Sequence, residues 1–345
     1  MNIAISTIYN EAYCKDKLFD VNSCKLGNNL LLPGIEIRKI LINMGHNIHT
    51  IDFYESIDMI DIVIFYDIPS NSLVTLCSFK DIVKYIIKRS WRTDYLLKCI
   101  ISKKKENLFL ILQEPKTVCP KSYNINFHKY FHKVLTWDDS IVDNTKYFKY
   151  FYPQPVPNNI NDNSFKNRKL LTLIASNKTS NYCNELYSKR RDAIDYCEKQ
   201  DIEFDLYGYG WEKNTINSYK GTTNDKLKTL SNYKFCICYE NEINNNGYIT
   251  EKIFDCFFSH CIPVYLGSRN VKKYIPSGTF VDRNDFDSFE EVVDYIKSFN
   301  EKKYNDYIKE IDRFIESKEF RNTFSLDNYI NTFVATILGK TRTDI

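Results

Sequence analysis

Glu251 and Lys252 stand where a polar loop meets a predicted helix, between two apolar runs at residues 234–240 and 261–267. Both runs are short, rich in β-branched and aromatic residues, and bounded by polar residues or glycine, which predicts buried strands. Thr250, followed by an acid and then an apolar face, predicts a helix with Thr250 as its N-cap. Free N–H groups at such a helix start, together with the Lys252 cation, suit a phosphate. The Glu251 carboxylate suits the hydroxyls of a ribose, because it can accept two hydrogen bonds.

Glu114 is a candidate general base. Residues 108–112 are all apolar, and Pro115 ends the strand that they predict, so the Glu114 carboxylate is expected at the carboxyl end of that strand. Active sites of open α/β sheets lie at that edge, where a carboxylate can take the proton of a hydroxyl nucleophile. A solvated carboxylate at a strand end is the alternative, and position alone favours it.

A basic triplet, Lys189-Arg190-Arg191, begins a second predicted helix, which follows an apolar strand (170–176) and a polar loop (177–184). The order of strand, loop and helix is the same as around Lys252, so an arginine here could also meet an anion. Arg190 shares the register of the apolar residues that follow it, and Arg191 is the alternate. A solvated basic helix face is the commoner fate of such a run.

The elements that must position these side chains alternate between strand and helix in both halves of the 345-residue chain. Three prolines in the segment 152–157 cannot continue a helix or a central strand, so this segment and the polar stretch after it predict a linker. The pattern predicts an α/β protein of two doubly wound domains. Predicted strands lie at 3–8, 47–52, 58–66, 108–112, 133–137, 170–175, 203–207, 234–240, 261–267 and 279–281. Predicted helices lie at 34–44, 80–102, 186–198, 225–231, 250–258, 289–299, 304–317 and 326–338.

The stretch YENEINNNGYITEKIFDCFFSHCIPVYLGS (239–268) resembles the donor-binding signature of glycosyltransferase family 10, the α-1,3/4-fucosyltransferases. The resemblance covers about thirty consecutive positions and weakens toward Phe109 on one side and Phe289 on the other. It implies that Asn241 and Tyr248 line the donor site and that Glu251 and Lys252 contact the nucleotide. It also implies that an arginine, Arg190 or Arg191, faces the diphosphate. Glu114 is implied as the general base.

The same resemblance implies the GT-B arrangement, two Rossmann-like domains that face each other across a cleft. Residues 1–155 would bind the acceptor, 156–167 would form the linker, and 168–325 would bind the donor. Residues 326–345 would form a last helix and tail that can pack back on the first domain. The implied reaction is inverting transfer of L-fucose from GDP-β-L-fucose to a glycan hydroxyl, α-1,3 to N-acetylglucosamine or glucose.

Charge and composition limit the partners. A net charge of +3 argues against a dedicated nucleic-acid protein, which usually carries a concentrated basic patch. No apolar stretch reaches the length of a membrane span, although association with a membrane surface stays open. The first residues, MNIAISTIYN, predict a strand and not a signal peptide, so a cytoplasmic location is expected. Eleven scattered cysteines fit free thiols in a reducing compartment.

No metal or other cofactor is expected to be required, although Mn²⁺ or Mg²⁺ can stimulate such a reaction by helping GDP leave. Asp138 and Asp139 follow a predicted strand and are interpreted as helix caps. His128 and His132 lie four residues apart without a third ligand nearby in sequence, so they are interpreted as surface or core residues.

Gly247 either lets a ligand approach the backbone or shapes a turn.

Two other functions remain open from the sequence. A GT-B transferase that uses another GDP-sugar would carry the same signature, because the signature reports on nucleotide and diphosphate more than on the sugar. A two-domain protein that closes on a small ligand without chemistry is the second alternative.

Overall fold

The computed structural model describes residues 1–24, 30–157 and 163–339. Part of the predicted linker (158–162) and the end of the predicted tail (340–345) lie outside the described residues. The described chain divides into two compact units. The first unit contains the described residues up to Tyr150 and those from Tyr329, and the second contains Phe151–Asn328.

The first unit is built on a six-stranded parallel sheet with the strand order β2-β1-β3-β4-β5-β6. Its strands are β1 (Asn2–Thr7), β2 (Asn47–Thr50), β3 (Ile62–Tyr66), β4 (Leu108–Leu112), β5 (Lys133–Thr136) and β6 (Tyr147–Lys149). Its helices are α1 (Asn10–Tyr13), α2 (Leu32–Asn43), α3 (Phe79–Ile87), α4 (Tyr95–Ser102) and α5 (Ile125–His128). All five residues of β4 are buried, as expected for a central parallel strand that is covered on both faces.

The second unit has a five-stranded parallel sheet with the order β11-β10-β9-β7-β8. Its strands are β7 (Lys169–Ile174), β8 (Phe204–Tyr207), β9 (Tyr233–Tyr239), β10 (Ile262–Leu266) and β11 (Val281–Asp282). Its helices are α6 (Tyr187–Lys199), α7 (Lys226–Leu230), α8 (Glu251–Phe257), α9 (Phe289–Lys297), α10 (Glu301–Ile315) and α11 (Lys318–Phe324). Alternate side chains of β9 enter two separate apolar clusters, since Cys236 and Cys238 lie in one and Phe235 and Ile237 in the other.

The helix α12 (Leu326–Leu338) is the last element of the described chain, and from Tyr329 it belongs to the first unit. The Tyr329 ring packs against Tyr150 with 5.8 Å between centroids, and its hydroxyl lies 3.3 Å from that of Tyr66. No helix among the described residues combines the length and the apolar character that a membrane crossing requires.

The boundary between the units lies after Tyr150 and not after residue 155. Phe151 packs edge-on against Tyr274 and Phe324 of the second unit, with centroid distances of 5.1 and 5.4 Å. The Gln154 N–H donates to the Phe324 carbonyl over 2.7 Å. The proline-rich segment therefore belongs to the second unit by its packing, a contact between distant parts of the chain that composition does not reveal.

The single helix predicted for residues 80–102 is wrong, because the chain forms α3 and α4 there. Arg89 has a left-handed backbone (φ 53°), and a short 3₁₀ turn at Ser90–Arg92 follows it. Asp94 then caps α4 by accepting from the Leu97 N–H over 3.0 Å. Apolar periodicity continues through the break, which explains why the pattern suggested one helix. Strand β6 and helix α11 were not predicted.

Candidate functional site

The strand order of the second unit brings two loops together. From β7 the chain first goes to β8 on one side and then to β9 on the other, so the loops after β7 and β9 are neighbours at the carboxyl edge of the sheet. The two loops pair directly: the Leu186 N–H donates to the Asn241 carbonyl over 3.0 Å and the Ile243 N–H to the Asn184 carbonyl over 2.9 Å. The start of α6 and the signature loop therefore form one surface.

Glu240, at the end of β9, is fully buried and holds the start of α8. Its carboxylate accepts from the Thr250 N–H over 2.9 Å and from the Thr250 hydroxyl over 2.8 Å. Thr250 is the N-cap residue, but its side chain makes no capping bond. The prediction that this helix start offers a free N–H for phosphate is therefore wrong at Thr250, because a buried carboxylate already occupies that donor. The Lys252 Nζ lies 2.9 Å from the Thr250 hydroxyl, so a positive side chain stands at the same helix start.

Gly267 is required for this packing. A Cβ at residue 267 would lie 2.6 Å from Glu240 Cγ and 2.7 Å from the Tyr265 hydroxyl, which is closer than real contacts allow. Gly267, which follows β10, therefore leaves room for the buried Glu240 carboxylate that holds the start of α8.

Lys252 lies between two carboxylates. Its Nζ is 3.2 Å from Glu240 Oε2 and 3.6 Å from Glu251 Oε1. Burial opposes its charge, but Glu240 and Glu251 raise the pKa of Lys252 above its usual value. Glu251 is exposed, with 53% of its side-chain surface accessible. Desolvation opposes its charge as well, but Lys252 and Lys226 lower the pKa of Glu251 to about 2. Both groups are therefore charged at neutral pH, and the Glu251 carboxylate is accessible.

Arg190 is buried and reaches across to the signature loop. One guanidinium nitrogen donates to the carbonyls of Tyr239 and Glu240, each over 2.7 Å, and to Asn241 Oδ1 over 3.1 Å. Within the described residues the buried Nε of Arg190 has no hydrogen-bond partner. Arg191 points elsewhere and donates to the Lys178 carbonyl over 2.7 Å. Of the two candidates, Arg190 is the arginine that the structure places beside the signature loop.

Lys226, at the start of α7, was missed by the sequence analysis. Its Nζ lies 2.5 Å from Asp255 of α8, and it lines a cavity of about 40 Å³ together with Arg190 and Lys252. The cavity is far too small for a nucleotide, but it marks where three cations converge. The only signal in the sequence was a lysine behind an N-cap aspartate, which is too common to indicate a site.

The remaining predicted residues of the loop lie close to this surface. Asn241 is half-buried, and its Nδ2 donates to the Tyr248 hydroxyl over 3.4 Å. Tyr248 is buried, and its ring meets Tyr152 edge-on at 5.9 Å. Gly247 has a φ of 90°, and its N–H donates to Ser268 Oγ and Asn270 Oδ1. Gly247 therefore shapes a turn, the second of the two interpretations.

A second cluster lies at the carboxyl edge of the first unit's sheet. Strands β1, β3 and β4 are consecutive there, and Tyr9, Asp67 and Glu114 follow their ends. The Tyr9 hydroxyl donates to Glu114 Oε1 over 2.9 Å, and the Glu114 N–H donates to Asp67 Oδ2 over 2.8 Å. The chain reverses its direction across this sheet between β1 and β3, so the cluster stands at the position where open α/β sheets bind ligands.

Comparison with known proteins identifies the second unit. The family model described as glycosyltransferase family 10 (fucosyltransferase) C-term matches residues 164–321, which include α6, α7 and the signature loop. Residues 164–321 belong to glycosyltransferase family 10. The resemblance that the signature suggested is confirmed, and residues 164–321 are called the family 10 segment below.

Two relatives each match 120 to 130 residues of this chain. The Helicobacter pylori protein named alpha-(1,3)-fucosyltransferase FucT is 38% identical over 130 residues, which are 38% of this chain and 24% of the relative. The Mus musculus protein named 4-galactosyl-N-acetylglucosaminide 3-alpha-L-fucosyltransferase 9 is 32% identical over 120 residues, 33% of this chain and 32% of the relative. The matches thus span about a quarter to a third of each relative's length.

Solved structures extend the likeness beyond the family 10 segment. The crystal structure of an α1,3-fucosyltransferase has a TM-score of 0.57 at 19% identity and covers 99% of this chain and 90% of its own. An α-glucosyltransferase in complex with UDP and a 13-mer DNA has a TM-score of 0.55 at 12% identity, covering 99% of this chain and 100% of its own. At these identities the likeness concerns the fold alone. It confirms the predicted class, a GT-B protein with two Rossmann-like units.

Asp67, which lies outside the family 10 segment, has a raised pKa. Burial raises the pKa of Asp67 to about 8; the N–H of Glu114 opposes this rise, and the charge of Glu114 adds to it. Asp67 is only 2% exposed and has a left-handed backbone (φ 64°), which aspartate tolerates better than most residues. At neutral pH the protonated Asp67 therefore leaves the negative charge of the pair on Glu114.

The free energy of unfolding is expected to depend on this proton. The folded pKa is raised above the unfolded value, so the stabilisation is fully present below about pH 4 and is lost as the pH rises through about 8. Within this window one proton contributes a slope of up to about 1.4 kcal/mol per pH unit. Urea unfolding at several pH values should show this slope in the wild type and in the exposed-acid control Glu55→Gln. Asp67→Asn should remove it, and an unchanged slope in that variant would contradict the assignment.

The acidic and histidine pairs take structural roles. Asp138 accepts from the Ser140 N–H over 3.0 Å and caps a turn, and Asp139 forms an ion pair with Lys149 at 2.6 Å. The prediction that they cap a helix is wrong, because the chain turns there toward β6. His128 is a core residue that bonds to the Ser122 carbonyl, whereas His132 is exposed. Among the described residues no three histidine, cysteine or acidic side chains form a group suited to a metal ion.

Proposed function

We propose that this protein transfers L-fucose from GDP-β-L-fucose to a hydroxyl of an acceptor glycan. The observation that carries the proposal is the surface formed by α6 and the signature loop, where Arg190, Lys226 and Lys252 converge within the family 10 segment. The names of the relatives, both fucosyltransferases, support the choice of sugar. They also support an α-1,3 linkage to N-acetylglucosamine, with glucose as the alternative acceptor sugar.

The three cations would bind the diphosphate. A diphosphate leaving group needs positive charge as its bond to the sugar breaks. In this structure these cations are balanced by Glu240, Asp255 and backbone carbonyls. Incoming phosphate oxygens would take over part of these contacts, and the unpartnered Nε of Arg190 supports this role. The accessible Glu251 carboxylate would accept hydrogen bonds from the ribose hydroxyls. Asn241 and Tyr248 would line the same surface.

Glu114 would act as the general base in a single displacement. The acceptor oxygen would form a bond to the anomeric carbon while the bond from that carbon to the GDP oxygen breaks, which inverts the configuration. The acceptor proton would pass to the Glu114 carboxylate. The hydrogen bond from Tyr9 and the backbone bond to Asp67 would hold this carboxylate in place.

The proposal is tested with purified protein, GDP-fucose, GDP-mannose and an array of glycan acceptors, with products identified by mass spectrometry. Fucosylated product from GDP-fucose alone supports it. Product from GDP-mannose alone would indicate a transferase for another GDP-sugar. Nucleotide binding with no glycan product from either donor would indicate hydrolysis or a binding protein.

Transfer is expected to survive a chelator. Arg190, Lys226 and Lys252 provide the positive field that a divalent ion would otherwise supply. Rates measured in EDTA should stay within about twofold of those in untreated buffer, because removing a merely stimulatory ion costs far less than the several kcal/mol of an essential Lewis acid. Moderate stimulation by Mn²⁺ or Mg²⁺ is compatible with this expectation. Complete loss in EDTA that added metal reverses would contradict it.

A further inference from the structure

Helix α3 presents an apolar face to solvent. Phe79 is 82% exposed, Ile86 57% and Ile87 74%, and Val83 is also exposed. These four residues have the spacing of one helix face, which is called the α3 face below. An apolar face of this kind in a globular protein normally packs into the core. Here its exposure calls for an occupant.

The opposite side of α3 holds the helix to the protein. Tyr85 is buried, and its hydroxyl donates to Asp94 over 2.9 Å. Ser78 caps the helix by accepting from the Asp81 N–H over 3.1 Å. The α3 face is therefore a defined surface on a capped and anchored helix.

Positive charge surrounds the α3 face. The helix and the turn after it carry five exposed cations, Lys80, Lys84, Lys88, Arg89 and Arg92, against one exposed acid, Asp81. On a helical projection, Lys80 and Lys84 lie beside the edge of the apolar face that Ile87 forms. Trp91, in the 3₁₀ turn that packs on α3, is 44% exposed. Aromatic side chains of this kind favour the boundary between lipid and water.

We propose that the α3 face docks on the surface of a membrane that contains anionic lipids. An amphipathic helix with an apolar face and flanking lysines and arginines lies in the interface, with its apolar side chains among the acyl chains and its cations at the headgroups. The contact is peripheral and reversible.

Charge complementarity selects this occupant over the others. A second copy of the chain would bring the same five cations against each other, which disfavours pairing through this face. Glycans present hydroxyl groups, and the aliphatic Val83, Ile86 and Ile87 offer them no hydrogen-bond partner. An anionic lipid surface satisfies both the apolar and the positive parts of the face.

The test is flotation of the full chain with vesicles of phosphatidylcholine, with and without phosphatidylglycerol. The wild type should bind the vesicles that contain phosphatidylglycerol, and added NaCl should weaken the binding. Ile86→Gln with Ile87→Gln, and separately Lys80→Gln with Lys84→Gln, should each reduce the partition coefficient by about tenfold or more. The control Ile125→Gln removes an equally exposed isoleucine (66%) elsewhere in the first unit and should bind like the wild type.

The four replaced residues are exposed, so the variants should unfold at the same temperature as the wild type, and circular dichroism checks this. Wild-type binding that the α3 substitutions leave unchanged would overturn the proposal, as would equal binding to neutral vesicles. A concentration-dependent dimer without lipid, abolished by Ile86→Gln with Ile87→Gln, would also overturn it, because the occupant would then be a second copy.

Discussion

Glu114→Gln is expected to reduce the rate of transfer by about 10²–10⁴-fold, the usual cost of losing a general base. Glutamine keeps the shape of the side chain and can still accept the hydrogen bond from the Tyr9 hydroxyl, but it cannot take the proton of the acceptor. Affinity for GDP-fucose should change little, because the residues proposed to bind the nucleotide are in the family 10 segment. Steady-state kinetics and calorimetric titration with the donor measure the two quantities separately.

Two further variants sharpen this test. Glu106→Gln removes an exposed acid just before the same strand, β4, and should transfer at the wild-type rate. Tyr9→Phe removes only the hydrogen bond to Glu114 and should cost roughly tenfold, the equivalent of about 1.5 kcal/mol for a bond to a charged group. If Glu114→Gln transfers at a rate close to the wild type, another group is the base.

Lys252→Ala is expected to weaken GDP binding by about 10–100-fold, since a hydrogen bond to a charged group contributes about 1.5–3 kcal/mol. It should also destabilise the protein, because the fully buried Glu240 loses the cation 3.2 Å away. Glu240→Gln separates the two effects, since it removes the ion pair but leaves Lys252 to meet the diphosphate. The variant should be destabilised and still bind GDP. Lys302→Ala, on the exposed face of α10, is the control for a lost surface lysine.

The arginines give an independent comparison. Arg190→Ala should both weaken GDP binding and destabilise the second unit, because three acceptors at the end of β9 lose their donor. Arg191→Ala should do neither to a comparable extent, since its guanidinium reaches only the Lys178 carbonyl. GDP dissociation constants that are unaltered in both Lys252→Ala and Arg190→Ala would exclude the proposed diphosphate site.

Local patterns in the sequence determined most of the strands, several helices and the family of the second unit. The apolar run of β4 and the start of α8 after Thr250 depend on neighbouring residues, so periodicity and the local residue order predict where both elements lie. The signature loop is also contiguous, and its thirty residues sufficed to identify glycosyltransferase family 10. Arg190 was preferred over Arg191 from its register with Ala193 and Ile194, and both of those residues are buried beside it.

Only the tertiary structure decided which distant groups meet. Tyr9, Asp67 and Glu114 are brought together because β1, β3 and β4 are adjacent in the sheet, and no local pattern specifies that order. In the second unit, the packing of α7 against α8 places Lys226 and Lys252 around one cavity. The Thr250 N–H donates to the Glu240 carboxylate, which lies at the end of β9. The apolar face of α3 shows most directly what local sequence cannot determine. Periodicity predicts that such a face is covered. Whether the chain itself covers the face depends on packing between elements that are far apart in sequence.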